Sequence, residues 1–305
     1  MPQGPRAQID RKLYKCHMQE ILHDYPNLDI RAASVHDLIF DHASPDGSWG
    51  AVTGVRLASG AVVRCSQAVV CTGTFLAGEI HIGLRTFPAG RMGDAPSAGL
   101  SGSLRAAGFA LGRLQTGTPA RLRAQTIDFS DARLEAQDGD ADPAPFSYMH
   151  RAVANAHNQV RCYKTHTTPA THAVVRENVH RAVHIQETKK GPRYCPSLEA
   201  KVRRFPQKEA HVVWLEPEGY DSGARWFLLD TDTRADHIVV SDLIYPNGLS
   251  NSMPEDVQEI LYRTVPGLEN VEIVRPAYGV EYDHVDAREL TGALFPLPQS
   301  TPRLL

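Results

Sequence analysis

The run GPRYCPSLEAKVRRF, residues 191–205, sets one cysteine between an aromatic residue and a proline. Lys189, Lys190, Arg193, Lys201, Arg203 and Arg204 crowd around it, and Glu199 alone opposes them. A thiol attacks as its thiolate, and a helix start or neighbouring cations pull its pKa below the usual value of about 8.5. Pro196 suits the first position of a helix, where no N–H is needed. Leu198, Val202 and Phe205 then share one apolar face, and Glu199 and Arg203 form an i, i+4 pair in the favourable order. This spacing makes Cys195 the N-cap or its neighbour, at the positive end of the helix dipole. Two readings stay open: a reactive thiolate, or a structural cysteine beside a solvated basic face. The cations likewise suit phosphate, from a nucleotide cofactor or from RNA, or an ordinary exposed helix. Tyr194 and Phe205 are thin aromatic interleaving, so reading of bases by stacking is not indicated.

Two further stretches have the character of ligand loops. Thr72-Gly73-Thr74 follows the small-apolar run Ala68 to Cys71, which reads as a strand buried on both faces. A glycine at a strand's carboxyl end permits a tight turn and close approach of a ligand, although most such glycines merely turn. In GRMGDAPSAGLSGSL, residues 90–104, Asp94 or Ser97 is expected to cap a helix through Leu100, Leu104 and Ala107, whose first N–H groups suit an anion. GRLQTGTPARL, residues 112–122, reads as a second loop of this kind, with Arg113 and Arg121 nearby.

These stretches need a scaffold, and the chain of 305 residues is long enough for one large domain or two ordinary ones. Its 42% hydrophobic and 22% charged residues are those of a globular protein, and a net charge of -3 leaves a nucleic-acid partner undecided. No apolar run is long enough for a membrane span, and the N-terminal residues resemble neither a secretory signal nor a transit peptide. The five cysteines show no CxxC pair, which argues against a disulfide scaffold and a structural zinc site. His166 and His172 are the nearest suggestive histidine pair, but Pro169 between them breaks any aligning helix, so no metal is expected. Cys65 and Cys71 are expected as inert strand residues.

Residues 8–23 predict an amphipathic helix, with Ile9, Leu13, Met18, Ile21 and Leu22 near helical spacing. A β-meander follows, turning at Ser59-Gly60. Residues 132–145 read as an exposed acidic linker, HAVVR and HVVWLEPEG as strand-like pieces of a second domain, and residues 269–286 as a strand followed by an ordered loop.

Eight motifs occur in order: TGTFLAGEIHIG (72–83), GRMGDAPS (90–97), GRLQTGTPAR (112–121), TIDFS (126–130), the cysteine-bearing run (191–205), LEPEG (215–219), YPNGLSNSMP (245–254) and RPAYGVEYD (275–283). Together they resemble the MnmG (GidA) family of tRNA uridine 5-carboxymethylaminomethyl modification enzymes over roughly residues 4–290. The resemblance implies an α/β fold: a partial FAD-binding domain of the two-dinucleotide-binding flavoprotein type with an inserted NADH-binding α+β domain. The implied boundaries are 1–115 for the FAD part, 116–270 for the insert and 271–290 for the return. It implies modification of the tRNA wobble uridine with an MnmE-type GTPase, FAD and NADH as cofactors, methylenetetrahydrofolate as one-carbon donor, and a homodimer. Val35 and Ser97 match FAD contacts, and Thr72, Gly73 and Thr74 join them. Gly191, Pro192, Arg193, Tyr194, Ser197, Lys201 and Arg204 fall in the NAD-linked segment, and Cys195 matches one of the family's two important cysteines.

The chain also departs from the family. It has no GxGxxG fingerprint and no second cysteine behind one, so it is expected to hold FAD weakly or not at all and to begin inside a folded domain. Residues 223–241 interrupt the step from LEPEG to YPNG and read either as translated intron or as a surface loop insertion. The tail 291–305 leaves the family pattern in the same way. An intron implies a eukaryotic, hence mitochondrial, homologue, with a bacterial cytoplasm as the other setting. The other reading of function is a catalytically inactive nucleotide- or RNA-binding fragment.

Overall fold

The computed structural model describes residues 7–41, 51–182, 197–220 and 242–290. Cys195, Gly191, Pro192, Arg193 and Tyr194, the segment 223–241 and the tail 291–305 lie outside the described residues.

Helix α1 (Arg11–His23) forms where the apolar spacing predicts it. Asp10 caps it, its Oδ1 accepting the Leu13 N–H at 2.7 Å. None of its residues is buried, and Leu13, Met18, Ile21 and Leu22 face solvent.

The chain divides into two α/β units. One contains Ile30–Gly117 and resumes at Gly279. Its first sheet is the antiparallel meander β1 (Val35–Phe40), β2 (Val52–Leu57) and β3 (Val62–Arg64). The turn at Gly60 has φ +87°, a left-handed conformation that favours glycine. A second sheet contains β4 (Glu79–Ile82), β5 (Arg85–Pro88), β6 (Leu111–Thr118) and β13 (Tyr278–Val285), in the order β5-β4-β13-β6. Helix α2 (Gly99–Ala106) buries Leu100 and Leu104 against Leu76, with Leu38, Phe109, Leu111 and Val285 around them.

The other unit contains Thr118–Ala182 and the chain from Ser197 to Tyr278, with α1. Its six-stranded antiparallel sheet runs β12 (Ile273–Arg275), β7 (Arg121–Arg123), β11 (Leu243–Asn247), β10 (Val212–Pro217), β9 (Cys162–His166) and β8 (Glu135–Gln137). Helices α3 (Pro169–Asn178), α4 (Leu198–Arg204) and α5 (Glu255–Arg263) contribute Val175, Leu198, Val202, Val257, Leu261 and Tyr262 to the core that contains Leu122, Val213 and Leu215.

Several local expectations fail. Ala68 to Cys71 is not a strand and lies exposed, Val69 at 90%. A strand buried on both faces needs paired neighbours, and no described strand pairs with this run. Cys71 is therefore exposed, and Cys65 lies just past the end of β3. HAVVR is helical, because Thr168 and Thr171 form a reciprocal cap and Pro169 takes the first turn, which outweighs its β-branched residues. GRLQTGT lies in strand β6 and is not a loop. The acidic linker contains β8, where Glu135 meets Lys164 of β9 at 2.7 Å. The ordered loop expected in the later part of residues 269–286 is largely β13.

Candidate functional site

In the unit built on Ile30–Gly117, the stretch from Thr72 to Gly78 and the loop from Gly90 to Ser97 form a backbone clamp. The Phe75 N–H closes a turn onto the Thr72 carbonyl at 3.0 Å, with Gly73 at φ +53°. The Thr74 hydroxyl donates to the Gly90 carbonyl at 2.7 Å. Ser97 donates its N–H to the Phe75 carbonyl at 2.8 Å and accepts the Ala77 N–H at 3.0 Å, forming a parallel bridge with Leu76. Ser97 thus leads directly into α2.

The cap of α2 corrects the sequence reading. Its N-cap is Ala98, which offers no side-chain bond, while Asp94 is held by Arg91 (Nε–Oδ2 2.7 Å). Both candidate caps are committed to the loop, so the first N–H groups of α2 carry no side-chain cap. Val35, exposed at the start of β1, precedes His36, which packs so closely on Gly99 that a Cβ there would overlap it. The fold therefore ties Thr72 and Thr74, through Phe75 and Gly90, to the loop that enters α2 at Ser97, and sets Val35 next to the His36 that packs on its first residue. An uncapped helix start fits the phosphates of a dinucleotide in kind.

Beneath the clamp is a charge network absent from the candidate residues. Arg113 on β6 donates to Glu281 (Nε 2.7 Å), Asp283 (Nη1 3.0 Å) and the Ala77 carbonyl (Nη1 2.9 Å). Burial opposes the Arg113 charge, but the bonds to Glu281 and Asp283 win and raise its pKa. The sequence pointed toward it in Arg113 of GRLQTGTPARL and in the EYD of RPAYGVEYD, but not to their pairing.

In the other unit, Ser197 is the N-cap of α4, its Oγ accepting the Ala200 N–H at 3.3 Å. This corrects the expectation that Cys195 or its neighbour caps the helix; a hydroxyl two residues on takes that role. Glu199 is buried and not in a surface pair: its Oε1 accepts the Ser252 N–H at 2.8 Å. Lys201 donates Nζ to the Gly248 carbonyl at 2.8 Å, and the Leu198 N–H reaches the Ser250 carbonyl at 2.7 Å. The loop of YPNGLSNSMP is thus the platform for α4. Gly248 is required there, with φ +109° and room for a Cβ blocked by the Val212 carbonyl at 2.6 Å. Arg203 and Arg204 are exposed on the last turn.

His172 and His211 pack with ring centroids 5.2 Å apart and ring planes tilted by 39°. Thr167 links them: its Oγ1 lies 2.8 Å from His172 Nε2 and accepts the His211 N–H at 2.8 Å. Burial, then the charges of His172, Lys201 and Lys208, push the His211 pKa down to about 4, and burial lowers His172 as well. The unfolded chain takes up these protons near pH 6.5, so between there and about pH 4 it binds more protons than the fold. Stability is expected to fall as pH drops through that window. Thermal melts of His211→Gln should show a flatter slope there, and an unchanged slope would remove His211 as its cause. Among the described residues no group of three metal-ligating side chains converges, and no helix is long and apolar enough to cross a membrane.

The architecture defined by these two units is that of GidA: Aquifex aeolicus GidA in its form I crystal matches with a TM-score of 0.78 and 41% identity, covering 94% of this chain and 44% of that one. The chain belongs to the family described as glucose inhibited division protein A, whose model matches residues 2–235 and 234–295. The two matches meet at residues 234–235, inside the stretch 223–241 that the sequence marks as an insertion. The mouse mitochondrial 5-taurinomethyluridine tRNA synthase subunit MTO1 is 45% identical over 95% of this chain and 40% of its own length. The tRNA uridine 5-carboxymethylaminomethyl modification enzyme MnmG of Granulibacter bethesdensis is 44% identical over 95% of this chain and 42% of its own. The chain spans about two-fifths of the length of these relatives.

Proposed function

We propose that this chain supplies the cofactor-binding and cysteine-bearing portion of an enzyme that modifies the wobble uridine of tRNA. The observation that carries the reading is the identity above 40% along 95% of the chain to relatives named for tRNA uridine modification. In this reading Val35, Thr72, Gly73, Thr74 and Ser97 would hold FAD, with the uncapped start of α2 available to its phosphates. The segment Gly191 to Arg204 would hold NADH, which would supply reducing equivalents to the flavin. Cys195 is the nucleophile, methylenetetrahydrofolate the one-carbon donor, an MnmE-type GTPase the partner, and a homodimer the assembly. The compartment is mitochondrial, as for the mouse relative. Lys201 has a structural bond to Gly248 in addition to any cofactor contact.

Wobble nucleosides from cells whose own MnmG carries this chain in place of its matching segment test the reading. Modification is expected, with loss in Cys195→Ser. Peptide mapping of alkylation against pH supplies the second readout, since Cys16 and Cys71 are exposed and would react as well. Cys195 is expected to react as a thiolate well below pH 8. No modification, with Cys195 titrating near the free value of about 8.5, would favour a nucleotide- or RNA-binding fragment without turnover.

A further inference from the structure

We infer that Asp283 is the positioning residue of the proposed flavin site, holding the start of α2 and the Thr72–Ser97 clamp in one register. The inference rests on the flavin reading above and adds a residue to it. Asp283 is 3% exposed. Its Oδ2 accepts from two residues of α2, Ser101 Oγ at 2.7 Å and Arg105 Nη2 at 2.7 Å. Its Oδ1 accepts Arg113 Nη1 from β6 at 3.0 Å. Its own N–H donates to the Leu76 carbonyl at 2.7 Å, and Arg113 Nη1 also reaches the neighbouring Ala77 carbonyl at 2.9 Å. Leu76 is in turn the bridge partner of Ser97.

One buried residue therefore joins α2, β6, β13 and the clamp. The chemistry explains why a carboxylate stands there. Three donors, two of them cationic, converge on it, and only an anion with two oxygens accepts from all three. An amide of the same shape must turn its NH2 toward one set of donors, which breaks either the α2 side or the β6 side. The α2 side fixes the direction in which the uncapped N–H groups point. The β6 side fixes Ala77, whose N–H holds the Ser97 carbonyl. Asp283 touches no cofactor in this scheme and acts through Ser97 and Ser101.

Amide hydrogen exchange on the whole 305-residue chain tests this without any ligand. In Asp283→Asn the Ala77 and Ser97 amides should exchange about tenfold faster, as expected for loss of a charge-assisted bond. The Val213 and Leu215 amides of β10 should not change, and Asp283→Glu should recover part of the protection. Unaltered exchange at Ala77 and Ser97 overturns the inference. If Asp283→Asn also deprotects β10, Ser101→Ala replaces it, since that variant removes one donor and leaves no buried charge unpaired. FAD titration supplies the second readout, with about tenfold weaker binding expected for the variant. Equal affinity in both proteins overturns the role of Asp283 and leaves the flavin reading standing. If the unsubstituted chain binds no FAD at millimolar concentration, the flavin reading fails and the exchange result alone decides Asp283.

Discussion

Gly78→Ala is expected to cost about 3 kcal/mol or more, the upper end of overpacking penalties. A Cβ at Gly78 would lie 2.6 Å from the Ala89 carbonyl oxygen, 2.6 Å from the Thr74 carbonyl oxygen and 3.0 Å from the Gly90 Cα. All three are backbone atoms, so no side chain can swing aside. Relief requires the segment from Thr74 to Gly78 to move off the segment at Ala89 and Gly90. That movement breaks the Ala89 N–H to Gly78 carbonyl bond of 3.0 Å and the Thr74 hydroxyl bond to Gly90. Gly73→Ala is the control. Gly73 has φ +53° but nothing within 4 Å of an added Cβ, so it carries only the left-handed penalty of about 1 kcal/mol. Urea denaturation of the two variants decides the matter: a loss in Gly78→Ala no larger than in Gly73→Ala would show that the clamp yields easily.

The second large effect is expected at Gln258, a fully buried polar side chain on α5. Its Nε2 donates to the Met253 carbonyl at 2.7 Å and the Ala277 carbonyl at 2.9 Å, and its Oε1 accepts the Ala277 N–H at 2.7 Å. Gln258 thereby terminates three backbone groups of two segments that leave the regular ladders, the end of the α4 platform and the entry to β13. Gln258→Leu fills nearly the same volume and leaves all three groups buried and unpaired. At about 1–3 kcal/mol for each orphaned group, a total near 4 kcal/mol is expected. Glu259→Leu, one residue along and exposed, should stay within about 0.5 kcal/mol of the unsubstituted chain. A Gln258→Leu variant as stable as Glu259→Leu would mean that other groups or water satisfy Met253 and Ala277.

The sequence by itself determined what local chemistry encodes. The apolar spacing of residues 8–23 specified α1, Ser59-Gly60 specified the meander turn, and HVVWLEP specified β10. The ordered motifs determined the family. Tertiary structure decided whatever depends on a distant partner. The small-apolar run Ala68 to Cys71 has the composition of a buried strand, but burial on both faces is a property of its neighbours, and Val69 is 90% exposed. The β-branched residues of HAVVR lost to a cap built by Thr168 and Thr171, and Thr168 is itself anchored to the Thr264 carbonyl, 96 residues away. Ser197, not the residue before Pro196, caps α4, because Leu198 and Glu199 are pinned to Ser250 and Ser252. Asp283 and Ser101 are separated by 182 residues, yet they share one hydrogen bond. No local pattern announces such a pair, because the donor and the acceptor acquire their roles only when burial removes the water that would otherwise satisfy both.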